Sequence, residues 1–303
     1  MKALLFPGQG VQKVGMLENL LDSNKEIKNL ILSASEVLNF DLLELITKGP
    51  EEKINLTEFA QPAILASSVA IARSTLSDKK IEFTAGLSLG EYSALVFAEC
   101  IDFKDALRLV NARGRLMQEA VPEGTAGMLV ILNMLLSEIH IMIKSLQDKG
   151  EIIDFSTDNA EGVSVLAGTN SAIEKCIKYI DHGDFRRVKT QLIKMSVPSH
   201  CSLLKNAQEE LAKLLNQIDF KTPTVPIIPN VLAHPTTDTL QIKEALIKQL
   251  CSTVRWRESL DYLVQNNLKT IYDAGPDKTI ISMARKLKDI DKISLLDLSL
   301  IHI

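Results

Sequence analysis

Residues 86–90 read Gly-Leu-Ser-Leu-Gly, and this G-x-S-x-G spacing limits what the chain can fold into more than any other stretch of its sequence. A β-prone piece at 81–84 precedes it, and the run after Gly90 can continue as a helix. A chain that leaves a buried strand, turns sharply at Ser88 and enters a helix holds the serine in a strained turn with its hydroxyl projecting outward. The adjoining backbone N–H groups then lie unpaired at a helix N-terminus, where they can stabilise a developing oxyanion. Gly86 and Gly90 give strand and helix room to meet, which a Cβ at either position would obstruct. The serine is therefore a candidate nucleophile in an α/β fold. The alternative, a small-residue loop, lacks the strand before and the helix after.

The 303 residues suffice for one large α/β domain with a smaller one inserted. A net charge of -4 gives no electrostatic reason to expect nucleic acid. Cys100, Cys176, Cys201 and Cys251 show no C-x-x-C spacing, so neither a zinc site nor a disulfide framework is expected, and a reducing cytoplasm fits. The N-terminal apolar run stops at Pro7-Gly8, too early for a signal peptide, and no run approaches the roughly 20 residues that span a bilayer.

Residues 3–6 form a continuous apolar run broken by Pro7-Gly8-Gln9-Gly10, the pattern of a buried parallel strand ending in a tight loop. Open α/β sheets place their ligands at such loops, so Gln9 either faces a ligand or is a polar turn residue. Apolar residues at helical spacing predict two or three short helices over 16–46. Pro62 suits the first turn of a helix running through Arg73, with Gln61 at its start as a cap or a ligand contact. Asp102 can cap a helix from Phe103 to about Ala120. Arg113 lies within that helix among apolar neighbours. Its five-donor fork suits a carboxylate, and the alternative is an arginine that snorkels to solvent.

The pattern changes near Gly124. Strand-like pieces at 128–132, 152–156, 163–167 and 188–195 and helical pieces at 137–146 and 171–180 give the order β-α-β-β-α-β of a ferredoxin-like unit. The expected organisation is a large hydrolase-like domain with a mostly parallel sheet, 1–123 and 196–303, and an inserted small domain, 124–195. The cleft between them is the default ligand site. The large domain resumes with a strand at 225–230, helices at 242–250 and 256–266, and a last strand at 269–274.

Of the five histidines, His140 and His182 belong to the inserted unit, His302 to the tail and His234 to a loop before Pro235. His200, at the domain junction, is the candidate to take a proton from Ser88. No acid follows it closely, and nothing ties Asp238 to it, so a backbone carbonyl could orient the ring and give a dyad. The order of serine then mid-chain histidine departs from that of the α/β-hydrolases.

Taken together, several stretches resemble the malonyl-CoA:acyl carrier protein transacylase family, which includes the acyltransferase domains of fatty-acid and polyketide synthases. They are 6–10 (FPGQG), Thr57 with 61–63 (QPA), 86–95 (GLSLGEYSAL), Arg113-Gly114 with 117–120 (MQEA), 196–200 (SVPSH), Gln249-Leu250 with 254–256 (VRW), and Gly275-Pro276. They follow family order over nearly the whole chain. The resemblance implies ping-pong transfer of a malonyl group from CoA to the phosphopantetheine thiol of a carrier protein. Ser88 would be the nucleophile and His200 the base, with Arg113 gripping the free carboxylate. The backbone N–H groups of Gln9 and Leu89 would form the oxyanion hole, and the main-chain carbonyl of Gln249 would orient His200. Gln61 and Asn159 are further substrate-binding candidates. No metal or resident cofactor is implied. The expected partners are malonyl-CoA and acyl carrier protein, and the chain is expected to act as a cytoplasmic monomer.

Departures from the family pattern are Leu87, where many members have histidine, Thr157, Glu161 and Val163 around Asn159, and Asp277 after Gly275-Pro276. They bear on acyl-group and carrier choice and tilt the reading toward a free-standing acyltransferase of a polyketide assembly line. The rival reading is an acyl-thioester hydrolase acting on carrier protein.

Overall fold

The computed structural model describes residues 1–76, 80–193 and 197–301. The end of the strand expected at 188–195, the boundary at 195/196, Ser196 and His302 lie outside the described residues. In chain order, strand β1 (Lys2–Phe6) leads through helices α1 (Glu18–Ser23), α2 (Lys25–Leu38), α3 (Leu42–Lys48), α4 (Glu51–Ile54) and α5 (Thr57–Thr75) to β2 (Phe83–Gly86). Helices α6 (Gly90–Phe97) and α7 (Phe103–Ala120) follow. Next come β3 (Ala126–Leu132), α8 (Leu136–Gln147), β4 (Ile153–Ala160), β5 (Val163–Thr169), α9 (Asn170–His182) and β6 (Lys189–Ile193). The chain ends with α10 (Lys205–Leu215), β7 (Ile227–Ile228), α11 (Thr239–Gln249), α12 (Trp256–Gln265), β8 (Thr270–Asp273), α13 (Thr279–Met283), β9 (Asp291–Ser294) and α14 (Leu295–Ile301).

The first sheet is parallel, in the order β7-β2-β1-β8-β9. Strand β1 is central because its apolar run is buried on both faces. Leu4 and Phe6 enter the larger core beside α2, α5 and α7, whereas Ala3 and Leu5 enter a second core with Trp256, Leu260 and Leu263 of α12. The twofold alternation of a strand makes that division.

The second sheet is antiparallel, in the order β4-β5-β3-β6, as a β-α-β-β-α-β unit requires. Leu129, Ile131 and Leu166 face α8 and α9, against Ile139, Met142, Ile173 and Cys176. Met128, Val165 and Ala167 point the other way and join the core of the parallel sheet.

Two expectations are corrected. The strand at 270–273 is not the last, because β9 pairs with it in register from Thr270↔Asp291 to Asp273↔Ser294. Its sequence, DKIS, has a single apolar residue and becomes a strand through the edge it finds. Helix α5 begins at Thr57 rather than at Pro62, so Pro62 lies within it. A proline there leaves the carbonyl four residues back without its helical donor. That carbonyl, of Glu58, accepts instead from Asn111 Nδ2 of α7 at 3.0 Å. The two helices meet closely at Gly114, where a Cβ would lie 2.5 Å from the Thr57 carbonyl oxygen.

Candidate active site

Strand β2 ends at Gly86, α6 begins at Gly90, and Ser88 between them has φ 52. A left-handed serine is strained by about 1–2 kcal/mol. The crossing is as tight as the glycines suggested: a Cβ on Gly86 would sit 1.9 Å from the Gly90 carbonyl. Asn230, two residues past the end of β7, spans the turn. Its Oδ1 accepts from the Ser88 N–H at 2.7 Å, and its Nδ2 donates to the Gly86 carbonyl at 2.6 Å.

His200 reaches Ser88 from a loop fastened on both sides by β4. Ser156 Oγ donates to the Ser199 carbonyl at 2.8 Å, and Asp154 accepts from Ser202 N at 2.8 Å and from its hydroxyl at 2.7 Å. The ring, 1% exposed, places Nε2 2.6 Å from Ser88 Oγ and Nδ1 2.8 Å from the Gln249 carbonyl oxygen. A carbonyl accepts only, so Nδ1 carries the hydrogen and Nε2 is free to accept from the serine hydroxyl. Burial first, and then the neighbouring Arg113, push the imidazole down to about 3, which keeps it neutral.

Arg113 does not snorkel. It is 2% exposed, under the elbow, with its guanidinium carbon 5.8 Å from the Tyr92 ring centroid. Nη2 donates to Ser88 Oγ and to Gln249 Oε1, each at 3.3 Å, and Nη1 donates to Gln61 Oε1 at 2.9 Å, while Nε has no partner among the described residues. Burial lowers its basicity below that of a free arginine. Among the described residues Arg113 is in no ion pair. A buried cation with donors to spare and no paired anion among the described residues is poised for one that arrives with the substrate.

Gln61 is not a helix cap. It lies in the second turn of α5, buried, holding Arg113 and donating to Met117 Sδ at 3.4 Å. Gln9 Nε2 donates to Thr57 Oγ1 at 3.2 Å, which turns its loop toward α5. The Leu87 N–H donates to the Phe6 carbonyl at 2.9 Å and holds the elbow beside that loop. Among the described residues the backbone N–H groups of Gln9 and Leu89 have no hydrogen-bond partner. Asn159 stands apart. Among the described residues its Oδ1 is buried without a partner and no hydrogen bond ties it to Ser88, His200 or Arg113, while the adjacent Asp158 is held by Arg257 of α12 at 2.8 Å. Asp238 caps α11 rather than meeting a histidine. Among the described residues no group of three or more His, Cys, Asp or Glu side chains could hold a metal ion.

Three contributors escape the sequence reading: Asn230, Glu91 and the side chain of Gln249. Glu91 is the one charged residue of α6, in its first turn, and Asn230 is the polar residue closing a β-prone run. Those were the signals that could have marked them.

The chain matches the acyl transferase domain family over residues 3–288. It belongs to that family. Among similar proteins, the malonyl CoA-acyl carrier protein transacylase of Haemophilus influenzae (strain ATCC 51907 / DSM 11121 / KW20 / Rd) is 39% identical over 301 residues, 98% of this chain and 96% of that protein. The Escherichia coli (strain K12) protein of the same name is 38% identical over 291 residues, 95% and 93% of the two chains. Among solved structures, a malonyl-transacylase in complex with a type II polyketide-synthase acyl-carrier protein superimposes with TM-score 0.94 at 38% identity, covering 99% and 97%. An acyl carrier protein S-malonyltransferase from Vibrio cholerae O1 gives TM-score 0.91 at 40% identity, covering 97% and 96%. The protein is thus an acyltransferase, and its parallel sheet with an antiparallel companion is the architecture these relatives share.

Proposed function

We propose that this acyltransferase moves a malonyl group from CoA to the phosphopantetheine thiol of an acyl carrier protein through an ester on Ser88. One observation carries the reading: the buried Arg113 guanidinium, without an ion pair among the described residues, donates to the hydroxyl that would be acylated. A free carboxylate at the far end of a short acyl group satisfies it bidentately.

In the first half-reaction Ser88 Oγ bonds to the thioester carbon and gives its proton to His200 Nε2. The C–S bond then breaks, and CoA leaves as the thiol carrying that proton. In the second, the carrier thiol gives its proton to His200, its sulfur attacks the ester carbon, and Ser88 Oγ departs and recovers the proton. The backbone N–H groups of Gln9 and Leu89 receive the oxyanion in both halves. The carboxylate has a second effect. Arg113 is one of the groups that depress His200, so neutralising the guanidinium raises the imidazole's basicity when it has to take a proton.

The names of the relatives, malonyl CoA-acyl carrier protein transacylase, support this substrate pair, and the likeness to a polyketide-synthase transacylase fits either a fatty-acid or a polyketide carrier. Nothing favours the hydrolase, for which an anion-seeking guanidinium has no use. Among the described residues no helix is long and apolar enough to cross a membrane, and the four cysteines are free, which fits a cytoplasmic enzyme. In this reading it works as a monomer, which a sedimentation experiment tests.

Intact-mass measurement after mixing with malonyl-CoA gives a malonyl adduct that Ser88→Ala removes. Arg113→Ala lowers malonyl transfer by about 10²-fold, the equivalent of roughly 3 kcal/mol for two charge-assisted hydrogen bonds, and acetyl transfer by much less. Equal loss with both acyl groups refutes the clamp.

A further inference from the structure

The Gln249 side chain joins the two halves of the site, and its amide works only one way round. Nε2 donates to the Ser88 carbonyl at 3.0 Å and to Glu91 Oε2 at 2.9 Å, which leaves Oε1 facing Arg113 Nη2 at 3.3 Å. Turned over, the amide would set its oxygen against two acceptors and its NH2 against a guanidinium that can only donate. Glu91 is fully buried in the first turn of α6, and its Oε2 also accepts from the Asn230 N–H at 2.9 Å, so it cannot swing away. Its other oxygen, Oε1, is buried with no partner among the described residues.

We infer that Glu91 is a positioning residue: its Oε2 atom fixes the Gln249 amide with the oxygen toward Arg113, and so aims the guanidinium across Ser88 at the carboxylate of the acyl group. What is needed is an acceptor oxygen at that point rather than a charge. Burial pushes the Glu91 carboxyl up to about 7, against the opposing pull of Asn230, Gln249 and Arg113. Its ionisation is therefore not fixed near neutrality. The unpartnered Oε1 can carry the proton while Oε2 goes on accepting. The inference rests on Arg113 as a carboxylate clamp and adds what holds the clamp in place.

The test separates acceptor from charge. Glu91→Met keeps similar bulk and removes both oxygens. It raises KM for malonyl-CoA about tenfold or more, with a smaller change in kcat, and lowers the malonyl-to-acetyl ratio of kcat/KM by a similar factor, because the guanidinium loses its aim. Glu91→Gln keeps an oxygen where Oε2 lies and restores the ratio to within about threefold of wild type. An unchanged ratio in Glu91→Met, or Glu91→Gln falling with it, overturns the inference. Should Glu91→Met not fold, Gln249→Met examines the same link. It removes the amide, leaves the main-chain carbonyl for His200, and must lower the malonyl-to-acetyl ratio; a ratio that holds overturns the inference. If Arg113→Ala discriminates between the acyl groups and these variants do not, Glu91 alone is misassigned. If Arg113→Ala does not discriminate, the clamp itself fails.

Discussion

Asn230→Ala should damage this enzyme at a distance from any substrate. The side chain makes two short hydrogen bonds to the elbow backbone, and alanine offers the Ser88 N–H and the Gly86 carbonyl nothing in exchange. Leaving a buried polar group unpaired costs about 1–3 kcal/mol, so two cost roughly 2–6 kcal/mol. Part of that loss appears in folding and part in the turn. The left-handed Ser88 persists only because its surroundings over-determine it, and the strain is about 1–2 kcal/mol. If the turn relaxes, the competent conformer falls by roughly fivefold to thirtyfold, and serine acylation slows by that factor. Two measurements separate the parts: a denaturant midpoint for stability, and the single-turnover rate of malonyl-Ser88 formation followed by intact mass. A stability within about 0.5 kcal/mol of wild type together with an unchanged acylation rate would refute the reasoning, since that is the behaviour of an uninvolved surface residue.

Two further predictions concern folding. Asn111→Ala strands the Glu58 carbonyl that Pro62 deprives of its helical donor and costs about 1–2 kcal/mol; in a Pro62→Ala background, where residue 62 can supply the N–H, the same change costs less, and equal costs in the two backgrounds would refute the pairing. The pH dependence of stability follows from three buried groups. Burial holds Glu91 and Asp273 up at about 7, so in the folded state they stay protonated where the unfolded chain has already ionised. Their contribution is full below pH of about 4 and is lost as pH rises through about 7. His200, pushed down to about 3, works the other way, since its contribution is present above about 6.5 and is lost as pH falls. Two groups outweigh one, so the melting temperature falls between pH 5.5 and pH 8, and Asp273→Asn flattens the fall. A melting temperature that climbs over that interval contradicts the account.

The elbow was legible from residues 81–90 because its cause is local: a strand, a helix and two missing Cβ atoms suffice to specify it. The β-α-β-β-α-β order was legible for the same reason, since each piece carries its own periodicity. Ser88, His200 and Arg113 could be named individually from type and position, but their meeting could not, because 112 residues separate the first two and the contact is made by the packing of β4 against the loop at 199–202. Pro62 misled because the donor that rescues its helix is Asn111, 49 positions away, a compensation no local pattern contains. Asn230, Glu91 and the Gln249 amide stayed hidden for a related reason. Each is an ordinary polar residue by sequence, and only burial, which makes every unmet donor or acceptor costly, turns their hydrogen bonds into constraints. The sequence by itself determined which chemistry was on offer. The tertiary structure decided which groups meet, which way round the amide stands and how far burial shifts each charge, because those depend on desolvation and on contacts between segments remote in the chain.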